Sequence, residues 1–111
     1  MEIKHSQFKR CDLVRLSGRL DSATAPILEE KLDEITEAGR FRLVLDLGEV
    51  DFISSKGWWV LINTQKKCKR FNRGEVLLVN VQPQIRDSLE LVGMGKYFKI
   101  YDDVASAVGS F

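Results

Sequence analysis

Asp46-Leu-Gly-Glu-Val-Asp-Phe-Ile-Ser-Ser-Lys-Gly57-Trp-Trp-Val-Leu-Ile62 passes from a buried-strand pattern to a helical one through a short Ser/Gly turn. Leu43-Val-Leu-Asp-Leu47, at its start, is short, apolar and suited to a strand, whereas beyond Gly57 the apolar positions take helical spacing. A turn so placed lies at the carboxyl end of a central strand. Ligands and partners favour that edge of an α/β sheet.

Upstream, residues 2–8 alternate weakly and Asp12-Leu-Val-Arg-Leu-Ser17 alternates more strongly up to Gly18. Together they predict an opening hairpin with Lys9-Arg10-Cys11 near its turn. Ser22 or Thr24 caps the next helix, Pro26 sits in its first turn, where a missing amide hydrogen costs little, and Gly39 stops it. Ile27, Leu28, Leu32, Ile35 and Ala38 form its apolar stripe. Downstream, strand 42–47, helix 56–72, strand 75–81 and helix 83–92 alternate as in parallel βαβ units with right-handed crossovers, punctuated by Gly74, Pro83 and Gly93. A short strand near 98–101 and a helix from Asp102 or Asp103 follow.

Leu43 to Asp46, Val50-Asp51-Phe52-Ile53 and Ser-Ser-Lys-Gly57 ahead of an apolar helix resemble the signature of the STAS domain, a module named after sulphate transporters and anti-sigma factor antagonists. Val14-Arg-Leu-Ser-Gly-Arg-Leu-Asp21, Leu77-Leu-Val-Asn-Val81 followed by Pro83, Leu89-Glu-Leu-Val-Gly93 and Phe98-Lys-Ile-Tyr-Asp-Asp-Val104 match its other landmarks in order. The resemblance covers nearly the whole chain. It implies a single STAS domain over residues 1–111, of class α/β, with a mixed, mostly parallel sheet of about four to five strands and about four helices.

In members that act as phosphorylation switches, the serine or threonine just before the motif glycine is the phosphoacceptor and an aspartate stands two places earlier. Lys56 and Ser54 hold those positions here. The resemblance implies a cytoplasmic anti-sigma factor antagonist. It would dock through residues 54–57 and the exposed side of the following helix onto an anti-sigma factor, a serine kinase of the ATPase fold, and so free a sigma factor. Lys56 removes phosphorylation control or moves it to Ser55. A second role open to such a chain is that of a non-phosphorylated STAS scaffold, or a subunit of a signalling or lipid-transport ABC complex. Neither role calls for a cofactor.

Each residue at the turn also has a plain structural use. A hydroxyl from Ser54 or Ser55 can accept a bond from a free amide in the first helical turn, worth about 0.5–2 kcal/mol. A phosphate on Ser55 would instead place about two negative charges at the positive end of a helix dipole. Lys56 opposes that dipole by about 0.3–1 kcal/mol and keeps a fixed positive charge at the turn. Val60, Leu61, Thr64, Cys68 and Phe71 form the stripe directed to the core, and Trp58 and Trp59 cannot both join it. Trp59 shares its face with Asn63, Lys66 and Arg70, while Trp58 borders Ile62 and Gln65, so at least one indole reaches the surface as an interface anchor. The expected partner-binding set is therefore Ser54, Ser55, Lys56, Gly57, Trp58 and Trp59.

Composition excludes several other classes. With 111 residues and 44% hydrophobic content, the chain fits one domain with a modest core. Seventeen basic against 16 acidic residues leave a formal charge of +1, which argues against a molecule-wide field for nucleic acid or anionic membrane; such a partner would need a local patch. Lys66, Lys67, Lys69, Arg70 and Arg73 read as a solvated helix face that suits an acidic protein better than direct nucleic acid contact. Cys11 and Cys68, far apart and outside any Cys-x-x-Cys arrangement, read as reduced core thiols. The start Met-Glu-Ile-Lys-His-Ser has no apolar signal core, and the longest apolar run is Trp58 to Ile62, which predicts a soluble chain without membrane insertion.

An enzyme is not expected. His5 is the sole histidine and lies in an edge strand, and there is no phosphate-binding glycine loop or metal-ligand cluster. Gly93-Met-Gly95 is a helix stop. Asp21, Asp46 and Asp51 could form a receiver-like acidic pocket only in a fold with more strand and helix units.

Overall fold

Apolar residues of period two line both faces of a five-stranded sheet ordered β1 (Glu2–Gln7), β2 (Asp12–Leu20), β3 (Arg42–Ile53), β4 (Glu75–Val79) and β5 (Lys99–Tyr101). The computed structural model describes residues 1–111. Strand β1 is antiparallel to β2, while β2 through β5 are parallel. Parallel neighbours need crossovers, and these are α1 (Ala25–Glu37), α2 (Ser55–Lys69), which runs into a 3-10 turn at Arg70–Asn72, and α3 (Pro83–Leu91). Helix α4 (Val104–Gly109) follows β5, with the Asp103 carboxylate accepting from the Ser106 amide at 2.7 Å as its cap. The mixed α/β architecture read from the sequence is the one observed.

Leu43, Leu45 and Leu47 of β3 join Val14 and Leu16 of β2 and Val76 and Leu78 of β4 in the main core, beneath Leu28, Leu32, Trp58, Leu61, Ile85 and Leu89 of the first three helices. The intervening residues Leu13, Val44, Leu77 and Val79 point the other way, where Cys11 and Ala107 complete a smaller core. Both cysteines are free and buried. Burial pushes the Cys68 thiol up to about 12, so it stays protonated and serves packing. At the margins of the sheet, every residue of β1 but Ile3 is exposed, although the His5 ring is drawn onto buried Asp12, and β5 has only three residues.

Strand β3 is longer than the expected 42–47 and reaches Ile53. Between the pairs Arg15/Asp46 and Ser17/Glu49 it carries an extra residue, and again between Gly18/Val50 and Arg19/Phe52. These bulges take up the extra residues around Gly48 and Asp51 without ending the strand. Only Arg42 to Asp46 pair with β4, so Leu47 to Ile53 run on beside β2 alone and deliver the chain directly to Ser54.

Helix α2 stops at Lys69 instead of 72, because Phe71 and Asn72 both adopt φ of 58°. Phe71 consequently leaves the core stripe and is 81% exposed. Gly74 makes the return possible: a Cβ there would stand 2.2 Å from the Phe41 carbonyl oxygen. In α1, Ala25 and Thr36 complete the buried stripe with Leu28, Leu32 and Ile35, whereas Ile27 and Ala38 lie on the exposed side. Thr36 is tolerated inside because its hydroxyl donates to the Leu32 carbonyl at 3.1 Å. Thr24 holds the cap position of α1 by backbone alone; its hydroxyl donates to the Arg19 carbonyl at 2.7 Å. The Asp21 carboxylate instead accepts from the Ala23 and Thr24 amides at 3.0 and 3.1 Å.

Candidate functional site

The β3 to α2 junction is built by Ser54. Its backbone is extended, its amide donates to the Leu20 carbonyl at 2.8 Å, and its carbonyl accepts from the Trp58 amide at 3.0 Å. The Ser54 hydroxyl accepts from the Gly57 amide at 3.2 Å, so Ser54 is the cap and Ser55 is not. Ser55 and Lys56 are exposed, and Lys56 takes part in none of the ion pairs. Ser54→Ala should lower stability by about 1 kcal/mol in a urea titration, with Ser55→Ala within about 0.5 kcal/mol of the parent. Equal losses would show that the cap is shared.

Gly57 is required by space. A Cβ there would lie 2.7 Å from the Leu20 Cγ, 2.9 Å from the Leu20 carbonyl oxygen and 3.0 Å from the Ile53 Cγ2. The first turn of α2 therefore rests directly on the end of β2 and holds Ser55 and Lys56 at the rim of the sheet.

Consecutive helical residues are about 100° apart, and the two tryptophans divide accordingly. Trp58 is 1% exposed and Trp59 52%. The Trp58 indole N–H donates to the Ser88 hydroxyl at 3.0 Å, which in turn donates to the Ile53 carbonyl at 3.4 Å, and its ring lies 6.3 Å from that of Phe98. These contacts fasten the start of α2 to α3 and β3. Ser88 was not legible as part of the site, although a buried indole N–H demands an acceptor from somewhere. Beside the indoles lies a shallow apolar depression of about 170 Å³ between Ser55, Trp58, Trp59 and Ile62 on one side and Val92 and Met94 on the other. On the opposite flank Asp51 is exposed, and the Arg19 guanidinium sits 4.2 Å over the half-exposed Phe52 ring. The result is an aromatic and apolar surface beside one unpaired cation, Lys56.

The remaining candidates serve the fold. Asp46 accepts from the Gly48 amide at 3.0 Å and the Asn80 amide group at 3.2 Å and pairs with Arg15 at 3.4 Å, Asp21 closes the turn that precedes α1, and Asp51 is exposed, so each acid has its own surroundings. Lys67 pairs with Asp33 at 2.6 Å and Lys69 with Glu75 at 3.7 Å, while Arg73 donates to the Lys67 and Arg70 carbonyls at 2.7 and 3.0 Å. Much of the basic run thus completes the carboxyl end of α2, where positive charge suits the dipole. His5 bonds Asp12 at 2.6 Å. No helix is long and apolar enough to cross a membrane.

Known proteins share this layout. The STAS domain pattern matches residues 3–107. BtrV of Bordetella bronchiseptica, whose name ascribes to it an anti-sigma factor antagonist role, is 33% identical over 96 residues, covering 86% of this chain and 82% of its own. The anti-sigma F factor antagonist of Paenibacillus polymyxa is 28% identical over 109 residues, or 97% and 92% of the two chains. Among solved structures, an anti-sigma factor antagonist from Mycobacterium paratuberculosis aligns with a TM-score of 0.87 at 27% identity, over 98% of this chain and 92% of that one.

Proposed function

The chain belongs to the STAS domain family, and from that membership we propose that it is an anti-sigma factor antagonist, which binds an anti-sigma factor and thereby releases the sigma factor held by it. The observation that carries this reading is the exposed Ser55, Lys56 and Trp59 surface, mounted on the Ser54 cap bond and on buried Gly57 and Trp58. The names of the relatives support the same role. Our reading is of a single domain over 1–111 that works in the cytoplasm by competitive binding, without catalysis or cofactor. Its partner is an anti-sigma factor with the ATPase fold of a serine kinase.

Lys56 alters the control of that contact. Where switchable members alternate between a hydroxyl and a phosphate, this chain holds a permanent cation, and Ser55 is the hydroxyl left accessible beside it. Incubation with the partner kinase and ATP should yield phosphate on Ser55 or none, as read by phosphopeptide mass spectrometry; phosphate on Ser54 would mean that the cap opens. In calorimetric titration Lys56→Glu should weaken partner binding by about tenfold or more, because it turns attraction into repulsion at the contact. Unchanged affinity would remove charge at this turn as the controlling variable.

The lysine at the acceptor position also suits a non-phosphorylated STAS scaffold or a subunit of a signalling or lipid-transport ABC complex. Binding to a permease or transport ATPase, with none to an ATPase-fold anti-sigma factor, would select that second role.

A further inference from the structure

Each parallel strand is entered through a short segment that joins an aromatic ring to basic side chains: Phe8-Lys9-Arg10 before β2, Arg40-Phe41-Arg42 into β3, Arg70-Phe71-Asn72-Arg73 before β4, and Lys96-Tyr97-Phe98-Lys99 into β5. Far apart in the chain, these segments meet in the fold, because parallel strands all begin at the same edge of a sheet. Contacts tie neighbour to neighbour. Arg40 donates to the Phe8 carbonyl, and the Arg73 guanidinium lies 3.8 Å over the Phe41 ring. Gln65 donates to the Val76 carbonyl near the start of β4 at 3.1 Å and to the Tyr97 carbonyl at 2.7 Å. With strands about 4.8 Å apart, the four strand starts make a row about 15 Å long.

Little acid balances this row. Asp12 is buried and already bound by Arg40 and His5, and Glu75 is shared by Lys69 and Lys99. Lys9, Arg10, Arg42, Arg70, Arg73 and Lys96 have no carboxylate within 4.0 Å. A groove of about 260 Å³ runs among Lys9, Arg10, Arg40, Arg42 and Arg73, large enough for a phosphate-bearing headgroup. The overall charge of +1 conceals a local patch.

Phe98 is buried and Phe41 half-buried, but the other three rings of this edge reach solvent. Phe71 is 81% exposed, Tyr97 42% and Phe8 40%. Phe71 stands on a left-handed backbone at φ 58°, unusual for a bulky residue, with the Arg70 and Arg73 guanidiniums 5.3 and 5.9 Å from its centroid.

We propose that this edge is a docking surface for an anionic lipid bilayer, with Phe71 entering the headgroup layer and the surrounding cations meeting lipid phosphates and carboxylates. A protruding ring within a collar of cations matches interfacial anchoring, in which apolar burial and electrostatic attraction add. Stacking of nucleic acid bases is less well served, because guanidiniums already lie over Phe71 and Phe41. The surface lies at the sheet edge opposite the Ser55 junction and uses none of residues 54–59. A chain held there would present residues 54–59 away from the membrane.

Co-sedimentation of the full chain with vesicles tests this, using phosphatidylcholine alone and phosphatidylcholine mixed with phosphatidylserine. Binding is expected only to the mixed vesicles and should fade as salt rises. Each cation removed should weaken it about fivefold, so the double variant Lys9→Glu, Arg42→Glu should lose well over tenfold. Phe71→Ser should lose several-fold with an unchanged melting temperature, and Trp59→Ala should bind vesicles like the parent. Absence of binding to mixed vesicles, or equal binding to phosphatidylcholine alone, overturns the proposal. So does tighter binding to a single-stranded oligonucleotide at the same ionic strength, which would make the edge a nucleic acid surface. None of these results bears on the Ser55 junction.

Discussion

Replacing Trp58 by alanine is expected to lower the stability of the fold by about 3–5 kcal/mol. The indole is 1% exposed, is among the largest fully buried side chains, and its N–H bond reaches Ser88 across to α3. Alanine would leave a void between α2, α3 and Phe98 that rigid neighbours fill only in part, and would strip Ser88 of its donor. In a domain of this size such a loss lowers the melting temperature by on the order of 10–20 °C. Urea unfolding should show it as a lower midpoint with an unchanged slope. Trp58→Phe, which keeps a ring beside Phe98 but has no N–H, should cost much less than alanine. A loss below about 1 kcal/mol for Trp58→Ala would mean that the site collapses around the void and that the indole does not anchor the junction.

Trp59→Ala should do the reverse. With half of its surface in water, Trp59 contributes little to folding, and its removal should move stability by about 0.5 kcal/mol or less. A rigid aromatic at the edge of an apolar depression suits a binding hot spot, whose truncation costs about 2 kcal/mol or more, a fall of about thirtyfold in affinity. Calorimetric titration against an anti-sigma factor of the ATPase fold gives the affinity, and a thermal melt gives the stability. If affinity is unchanged, the partner contacts another face and the docking surface has been misplaced, with the family unaffected.

That the two indoles cannot both join the core follows from helical geometry and was legible in the sequence, whereas the assignment of Trp58 to the inside, which removes it from the expected binding surface, came from packing. Also legible were the order of strands and helices, Pro26 in the first turn of α1, and the boundaries set by Gly39, Pro83 and Gly93. What escaped depends on distant contacts. The sequence pattern ends the strand at Leu47 because nothing local reveals that β2 can accommodate extra residues in β3. Phe71 continues the apolar spacing of α2, yet the close passage of Gly74 against Phe41 requires the helix to end first. Ile27 and Ala38 failed for a related reason: several stripes are compatible with the apolar residues of α1, and packing chose the one through Ala25 and Thr36. Ser54 and Ser55 are equivalent in composition, and only the bond to the Gly57 amide separates the cap from the free hydroxyl. The basic and aromatic edge was least legible. Its segments acquire a common location only through parallel pairing.

The two margins of the sheet bear on how the protein behaves when crowded. An open sheet offers unpaired backbone groups at each end, from which chains can polymerise into fibrils. Here one end is β1, whose residues are mostly exposed and include the charged Glu2 and Lys4, and the other is the three-residue β5. An incoming strand would have to match charged and polar neighbours at the first and would find too short a template at the second. Fibril growth by strand addition is thereby discouraged at both ends, leaving helix surfaces and loop edges as the faces through which this molecule can meet others at high local concentration.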